Sequence, residues 1–349
     1  MLRVLVDVPL NSQERERLKQ TAGLAVTFIA ETSHKPGDQP RRIDRAILEQ
    51  QEVLLSKWPP DNLADARELK FMQLVTVGFE HLAHRYPELA HLRICNARGI
   101  FDTAIAEWNI AMMINLIRNV PQIISFQKNH HYQRLETFQQ EIRNRRVGIW
   151  GYGGIGRTTA YYAKFMGMKI SVLTRSGKIS NGYTYLPDDP IQKSIQAQAD
   201  QIPDRIYGIG QELEFLRELD FLILCLPRTK QSNGRIGEKE LQALPKHAYL
   251  LNPARGLIVQ EAALLKALEE KWIAGAALDT HFQYPLPPQH PLWEMPNVIL
   301  TPHISGGDGN DRFPERITNL FLENIRRYQN NETLLHLIQP EEWLESRLE

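Results

Sequence analysis

The sequence predicts an α/β protein with mostly parallel sheets, divided into two domains. Three observations predict it. Strand-like apolar runs alternate with helical segments along most of the chain, the pattern of βαβ units. The 349 residues exceed the ~100–200 of one ordinary domain. A glycine-rich hexapeptide at 151–156 stands between a strand-like run and a helix, where a βαβ unit turns.

Composition narrows the class. Hydrophobic residues at 42% and charged residues at 23% are ordinary for a globular chain, which excludes disordered, collagen-like and coiled-coil proteins. Lys plus Arg and Asp plus Glu both number 41. That zero balance argues against a nucleic-acid partner, which would call for a basic excess. Cys95 and Cys225 lie in apolar runs and are expected as free buried thiols, not as a disulfide or a metal site. The chain opens on a strand-like run at 2–8 without a leader pattern, and no apolar run reaches the ~20 residues of a membrane span. A cytoplasmic location with no membrane association is the expectation.

The elements follow in order. Residues 2–6 alternate as a strand, 11–20 read as a helix, and 24–29 as a second strand. A Pro-, Gly- and Lys-rich loop at 31–42 leads to a helix at 42–50 and a strand at 53–55. Residues 69–77 are apolar and end at Gly78. The clearest helix is 102–119. Asp102 or Thr103 can cap it, and Ile105, Trp108, Met112, Ile114 and Leu116 supply apolar faces. Its continuation to 140 is polar and aromatic. There His130 and His131 read as surface residues, because no carboxylate or cysteine sits at ligand spacing. A new βαβ series begins at 146, with strands expected at 146–150, 168–174, 220–225, 247–251, 273–278 and 297–300. Residues 176–210, polar and rich in Gly, Pro, Asp and Gln, read as an insertion. Residues 312–328 are helical again, and there is no internal repeat.

The hexapeptide Gly151-Tyr152-Gly153-Gly154-Ile155-Gly156 is a G-x-G-x-x-G sequence with a strand before it, a helix after it and a second strand beyond. Glycines there allow a tight turn and close approach of a pyrophosphate to the helix N-terminus, so a dinucleotide cofactor is expected. The end of the second strand selects which one. A carboxylate there would bind the ribose hydroxyls of NAD. The chain has Thr174-Arg175-Ser176-Gly177-Lys178 instead. Arg175, Ser176 and Lys178 suit a 2′-phosphate, so NADP(H) is preferred over NAD(H). The alternative is a solvated basic loop.

These stretches together resemble the D-isomer-specific 2-hydroxyacid dehydrogenase family, of the glyoxylate/hydroxypyruvate reductase-like kind. Residues 99–107 resemble the opening of the family's interdomain helix. Leu226-Pro227-Arg228-Thr229 resembles its proline turn over the cofactor, and Asn252-Pro253-Ala254-Arg255-Gly256 its N-x-x-R-G motif. Ala276-Ala277-Leu278-Asp279 and Leu300-Thr301-Pro302-His303-Ile304 complete the series, in order and spacing from about 53 to 330. The resemblance implies two doubly wound parallel-sheet domains. A Rossmann cofactor domain at 116–304 would be inserted in a discontinuous flavodoxin-like substrate domain, 1–115 and 305–349. It also implies a homodimer, an interdomain active site, and a small 2-oxo acid or 2-hydroxy acid as substrate.

Reduction of a 2-oxo acid needs a cation for the carboxylate and ketone, and a proton donor for the new alkoxide. By resemblance, Arg255 binds and polarises the substrate, and His303 is the acid/base residue, with a reference pKa of about 6.5. Thr76-Val77-Gly78-Phe79 resembles the loop whose amides meet the carboxylate, which makes Val77 and Gly78 substrate-binding candidates. Asp279 resembles the residue beside the nicotinamide carboxamide. Gly151 to Gly156 with Tyr152 and Ile155, Thr174, Arg175, Ser176, Leu226, Pro227, Pro253, Ala254 and Asp279 are the cofactor-binding candidates.

One position departs from the family. Tyr284 stands where members carry a glutamate that pairs with the histidine. Losing the carboxylate removes stabilisation of imidazolium, so His303 is expected to be less basic. Three readings stay open: a working reductase whose ring is oriented by Tyr284, Gln283 or water; substitution by His281 or another group; or an NADP(H)-binding sensor or scaffold with weak or lost activity. Phosphite oxidation also occurs on this fold, but the turn at Val77 lacks the lysine it would want. The Asn and Gln of formate oxidation are not evident.

Overall fold

The computed structural model describes residues 1–29, 40–134, 140–180, 190–307 and 309–346. Most of the expected 31–42 loop therefore lies outside the described residues, as do 181–189 of the expected insertion. The chain divides into two compact units, Met1–Ile100 with Gly309–Glu349, and Phe101–Asp308. No described helix is long and apolar enough to cross a membrane.

The first unit holds five strands: β1 (Leu2–Asp7), β2 (Leu24–Phe28), β3 (Val53–Ser56), β4 (Phe71–Leu74) and β5 (Arg93–Cys95). All pair parallel, in the order β2-β1-β3-β4-β5, which is the flavodoxin-like winding. β3 and β4 are buried at every position. That is why they are mostly apolar, with Ser56 and Gln73 as buried polar exceptions. The three-residue β5 escapes the sequence reading, because Arg93 is exposed and only Ile94 and Cys95 are buried. The first helix is Ser12–Gln20, where Asn11 Oδ1 accepts from the Glu14 amide at 2.9 Å and satisfies an orphan donor. The helix expected at 42–50 shrinks to Arg45–Leu48. Ile43 is drawn off, its amide and carbonyl both bonded to the Asn62 side chain, so the helix starts only at the Asp44 cap.

Helix Phe313–Gln329 returns to this unit and buries Asn324 against Gln73, both fully inaccessible. Asn324 Nδ2 donates to Gln73 Oε1 at 2.8 Å and to the Leu335 carbonyl, and Asn324 Oδ1 accepts from the Leu335 amide at 2.7 Å. The Gln73 amide nitrogen donates to the carbonyls of Leu74, Cys95 and Asn96. Each buried polar atom of the pair is thereby matched.

The second unit holds seven parallel strands: β6 (Arg146–Trp150), β7 (Lys169–Leu173), β8 (Arg205–Tyr207), β9 (Phe221–Leu224), β10 (Tyr249–Asn252), β11 (Gly275–Leu278) and β12 (Val298–Leu300). Their order is β12-β11-β10-β9-β6-β7-β8. The chain winds outward from β6 one way, then outward from β9 the other, so the topological switch lies between them, where such sheets bind ligands. Helix Asp102–Ile117, expected in the first domain up to residue 115, packs within this unit against helix Gly154–Phe165.

Two expectations need correction. Residues 176–210 are not a plain insertion, because they contain helix Pro190–Ala197 and edge strand β8. The helix is held from below by Arg157, a 2% exposed side chain that donates to Gln196 Oε1 at 2.6 Å, to the Tyr152 carbonyl at 3.2 Å and to the Ser180 carbonyl. β8 has three residues, too few to show alternation. Asp102 and Thr103 do not cap their helix. Phe101 is the cap residue and makes no side-chain capping hydrogen bond, while Asp102 is buried at 4% exposure. Its carboxylate is turned onto Gly154 instead.

Candidate active site

The glycine turn joins β6 to helix Gly154–Phe165, and its glycines do different work. Gly151 has φ +100°, and a Cβ there would run into the Cys225 carbonyl and meet Leu226. Only glycine suits that conformation and approach. A Cβ at Gly156 would strike the Gly151 carbonyl, and one at Gly154 the Asp102 carboxylate. At Gly153, by contrast, a Cβ would meet nothing within 4 Å among the described residues. The open side of the turn therefore faces the helix N-terminus, as a pyrophosphate cradle requires. The Tyr152 side chain is not part of that cradle. It is 8% exposed and its hydroxyl donates to the Ala199 carbonyl at 2.9 Å, leaving only its backbone at the turn. Burial, then the Asp102 carboxylate, pushes the Cys225 thiol up to about 12, which keeps it protonated.

After β7 comes the Thr174 to Lys178 corner. Thr174 Oγ1 and Ser176 Oγ both donate to the Lys178 carbonyl, at 3.1 and 3.3 Å. Arg175 and Ser176 are exposed. Glu212, the carboxylate at the end of the neighbouring Gly208–Gly210 loop, accepts from the Gly210 amide and from Arg235. After β9, Leu226 and Pro227 begin a turn that Ser232 holds, its hydroxyl donating to the Pro227 carbonyl at 2.7 Å.

β10 ends in buried Asn252, which folds the next residues back on itself. Its Oδ1 accepts from the Ala254 amide at 3.1 Å, and its Nδ2 donates to the Arg255 carbonyl at 2.9 Å. Pro253 is buried, and Ala254 and Arg255 are half-buried. A Cβ at Gly256 would collide with the His281 carbonyl. The glycine is what lets the Arg255 turn lie against the turn that follows β11.

That second turn carries Asp279, His281 and Tyr284. Asp279 is fully buried. Its Oδ1 accepts from Thr301 Oγ1 at 2.5 Å and the Ile304 amide at 2.9 Å, and its Oδ2 from the Ser305 amide at 2.9 Å. In this structure the carboxylate grips the loop that bears His303. His303 is exposed, with φ +58°. Its ring packs on Tyr284, with centroids 5.6 Å apart and planes tilted by 43°. The Tyr284 hydroxyl accepts from the His281 amide at 3.2 Å. The residue is 57% exposed overall, yet desolvation at that hydroxyl is the main cause of a phenol pKa above the ordinary value. The His281 amide and Arg255 pull it down, and Asp279 pushes it up. Tyr284 is therefore a neutral group within electrostatic reach of Arg255 and in ring contact with His303. Sequence reasoning named Arg255, His303, Tyr284 and Asp279. It missed Thr301 and Trp108, whose Nε1 donates to Thr301 Oγ1 at 3.2 Å. Both look like ordinary core residues in the sequence.

In the first unit, the loop after β4 carries Val77 and Gly78. Thr76 Oγ1 donates to the Gly78 carbonyl at 2.8 Å, and Asn96 Nδ2 to the Val77 carbonyl at 3.1 Å. These bonds occupy the loop's carbonyls. The Val77 and Gly78 amides have no acceptor among the described residues, the state of a backbone ready for an anion.

Comparison with known proteins shows the family and the fold. Residues 110–305 match the family model of the D-isomer specific 2-hydroxyacid dehydrogenase, NAD binding domain. The chain is 31% identical over 296 residues to a glyoxylate reductase of Aeropyrum pernix, covering 83% of this chain and 82% of that protein. It is 28% identical over 312 residues to a glyoxylate reductase of Thermococcus litoralis, covering 86% and 85%. Two solved structures share the fold. One is a D-isomer specific 2-hydroxyacid dehydrogenase family protein from Aeromonas salmonicida, with TM-score 0.77, 24% identity, and coverage of 97% of this chain and 99% of that one. The other is an NADPH-dependent glyoxylate/hydroxypyruvate reductase from Sinorhizobium meliloti in complex with NADP and sulfate, with TM-score 0.74, 22% identity, and coverage of 99% and 100%. The cradle, the Arg255 turn and the His303 loop thus occur in a chain that belongs to the D-isomer-specific 2-hydroxyacid dehydrogenase family of NAD(P)-dependent oxidoreductases.

Proposed function

We propose that the protein reduces a small 2-oxo acid of the glyoxylate or hydroxypyruvate type to the D-2-hydroxy acid, and uses NADPH in preference to NADH. The observation that carries this reading is the cluster of Arg255, Tyr284 and His303 on the turns that follow β10, β11 and β12. It unites an anion-binding cation with a titratable proton donor. The glycine cradle fits a dinucleotide, with open space at Gly153 and a helix N-terminus behind it. When bound, the reduced nicotinamide supplies the hydride.

The chain's own residues do the rest. Arg255 pairs with the substrate carboxylate and polarises the ketone, as a planar guanidinium suits. The Val77 and Gly78 amides are matching donors for a carboxylate. His303 delivers a proton to the new alkoxide oxygen. Thr174, Arg175 and Ser176 meet the 2′-phosphate, where no carboxylate in the corner repels it. Leu226, Pro227, Pro253 and Ala254 line the cofactor's side of the strand ends. Asp279 holds the His303 loop, and a contact with the carboxamide would use the acceptor capacity left on Oδ2. A homodimer built mainly through the cofactor domain and the helix near 102–119 belongs to the same reading. It is supported by helix Val120–Lys128, which buries no residue and leaves Ile123 and Ile124 40% and 45% exposed.

Steady-state kinetics with a panel of 2-oxo acids and both cofactors tests the proposal. Turnover of glyoxylate or hydroxypyruvate, with the higher kcat/KM for NADPH, is expected. The Tyr284 replacement favours a second reading, an NADP(H)-binding sensor. Tight NADPH binding with no turnover across the panel would select it.

A further inference from the structure

One residue, Thr301, gathers the bonds that shape the His303 turn. Its hydroxyl accepts from Trp108 and donates to Asp279. Its carbonyl oxygen lies 3.0 Å from the His303 amide and 2.9 Å from His281 Nε2. A carbonyl only accepts, so Nε2 carries the proton in that contact. His281 is 7% exposed, and its Nδ1 is buried without a hydrogen-bond partner among the described residues. Such an unmatched buried nitrogen is destabilising. An apolar ring of similar size would avoid that cost, so the imidazole needs a use. The Thr301 carbonyl receives the one hydrogen bond its ring makes among the described residues.

We propose that His281 is a positioning residue for His303, acting through the shared Thr301 carbonyl. The proposal rests on the reading of His303 as proton donor. At φ +58° a non-glycine backbone is strained and persists only where its surroundings over-determine it. The amides of residues 303, 304 and 305 are all bonded, to Thr301 and Asp279. His281 fixes the carbonyl on which the first of them depends. Through its own amide it also fixes the hydroxyl of Tyr284, whose ring lies against His303. His281 thus anchors the imidazole through the backbone, where a carboxylate would anchor it through the ring.

Two substitutions separate this role from simple packing. His281→Phe keeps the ring volume and loses the donor. Its kcat for glyoxylate should fall about tenfold, while KM and the NADPH Kd stay within roughly twofold, because only the alignment of the proton donor changes. His281→Gln, which still places an N–H near the carbonyl, should recover most of the loss. A Phe variant as fast as the wild type, or a Gln variant as slow as the Phe one, overturns the proposal. A second readout needs no turnover: the His303 ring signal in the NMR spectrum of 13C-histidine-labelled protein, identified by its loss in His303→Ala. It should shift or broaden in His281→Phe and return in His281→Gln, and an unmoved signal in the Phe variant also overturns the idea. If the wild-type protein reduces no 2-oxo acid, the reaction assignment fails and the NMR comparison alone decides.

Discussion

A carboxylate beside an imidazole stabilises its charged form, whereas Tyr284 offers His303 a neutral ring with centroids 5.6 Å apart. With His303 as the proposed proton donor, reduction would consume the proton of imidazolium, and activity would persist only while that form survives. Tyr284→Glu should raise the folded-state pKa of the imidazole and carry the upper limb of the reductase kcat/KM profile toward alkaline pH by about one unit. Superimposable profiles for the two proteins would refute that account. Arg175 poses a similar question at the cofactor end. Arg175→Ala should raise KM for NADPH about tenfold and leave KM for NADH near its starting value, because only the first cofactor carries the 2′-phosphate. Equal losses with both would place Arg175 outside the phosphate site.

At the scale of elements, helix Phe313–Gln329 shows how a buried polar pair ties a returning segment to a sheet. Asn324→Ala would strand the Gln73 carbonyl and the Leu335 amide, both bonded only through Asn324 among the described residues. The expected cost is about 2–3 kcal/mol, read as a lower urea midpoint at unchanged slope. The apolar strands and the glycine turn were legible in the sequence because each depends on neighbours in the chain. Val53, Leu54 and Leu55 of β3 are apolar since both faces of the strand are covered, and Gly151 is demanded by its own φ. β8 was not legible, because its three residues are held by pairing with β7 and by Asp204, whose carboxylate accepts from the Ile170 amide. His281 was named in the sequence only as a possible substitute for the missing glutamate and Thr301 only as part of a motif; the bond between them was invisible for a related reason. His281 and Thr301 stand 20 positions apart, and Thr301 and Asp279 22, and no local pattern marks such contacts.

At the scale of the whole molecule, the zero net charge says nothing of local charge, and the proposed function gives Arg175 and Arg255 one small anion each. The two units also have separate apolar cores, the first around Leu54, Met72 and Trp343, and the second made of two clusters, one around Val147 and one around Leu222 and Leu250. A ligand stabilises what binds it by RT ln(1 + [L]/Kd), about 2.7 kcal/mol at one hundred times Kd. Every proposed cofactor contact lies in the second unit, so the two units should answer separately to mutation. Asn324→Ala should lower the melting temperature of the free protein and leave the NADPH Kd unchanged. Gly154→Ala, which drives a methyl group into the Asp102 carboxylate beneath the cradle, should weaken NADPH binding at least roughly tenfold by displacing the turn. Calorimetric titration of both variants with NADPH checks the pair. A Gly154→Ala protein that binds NADPH as tightly as the wild type would mean that the pyrophosphate is not held at this turn.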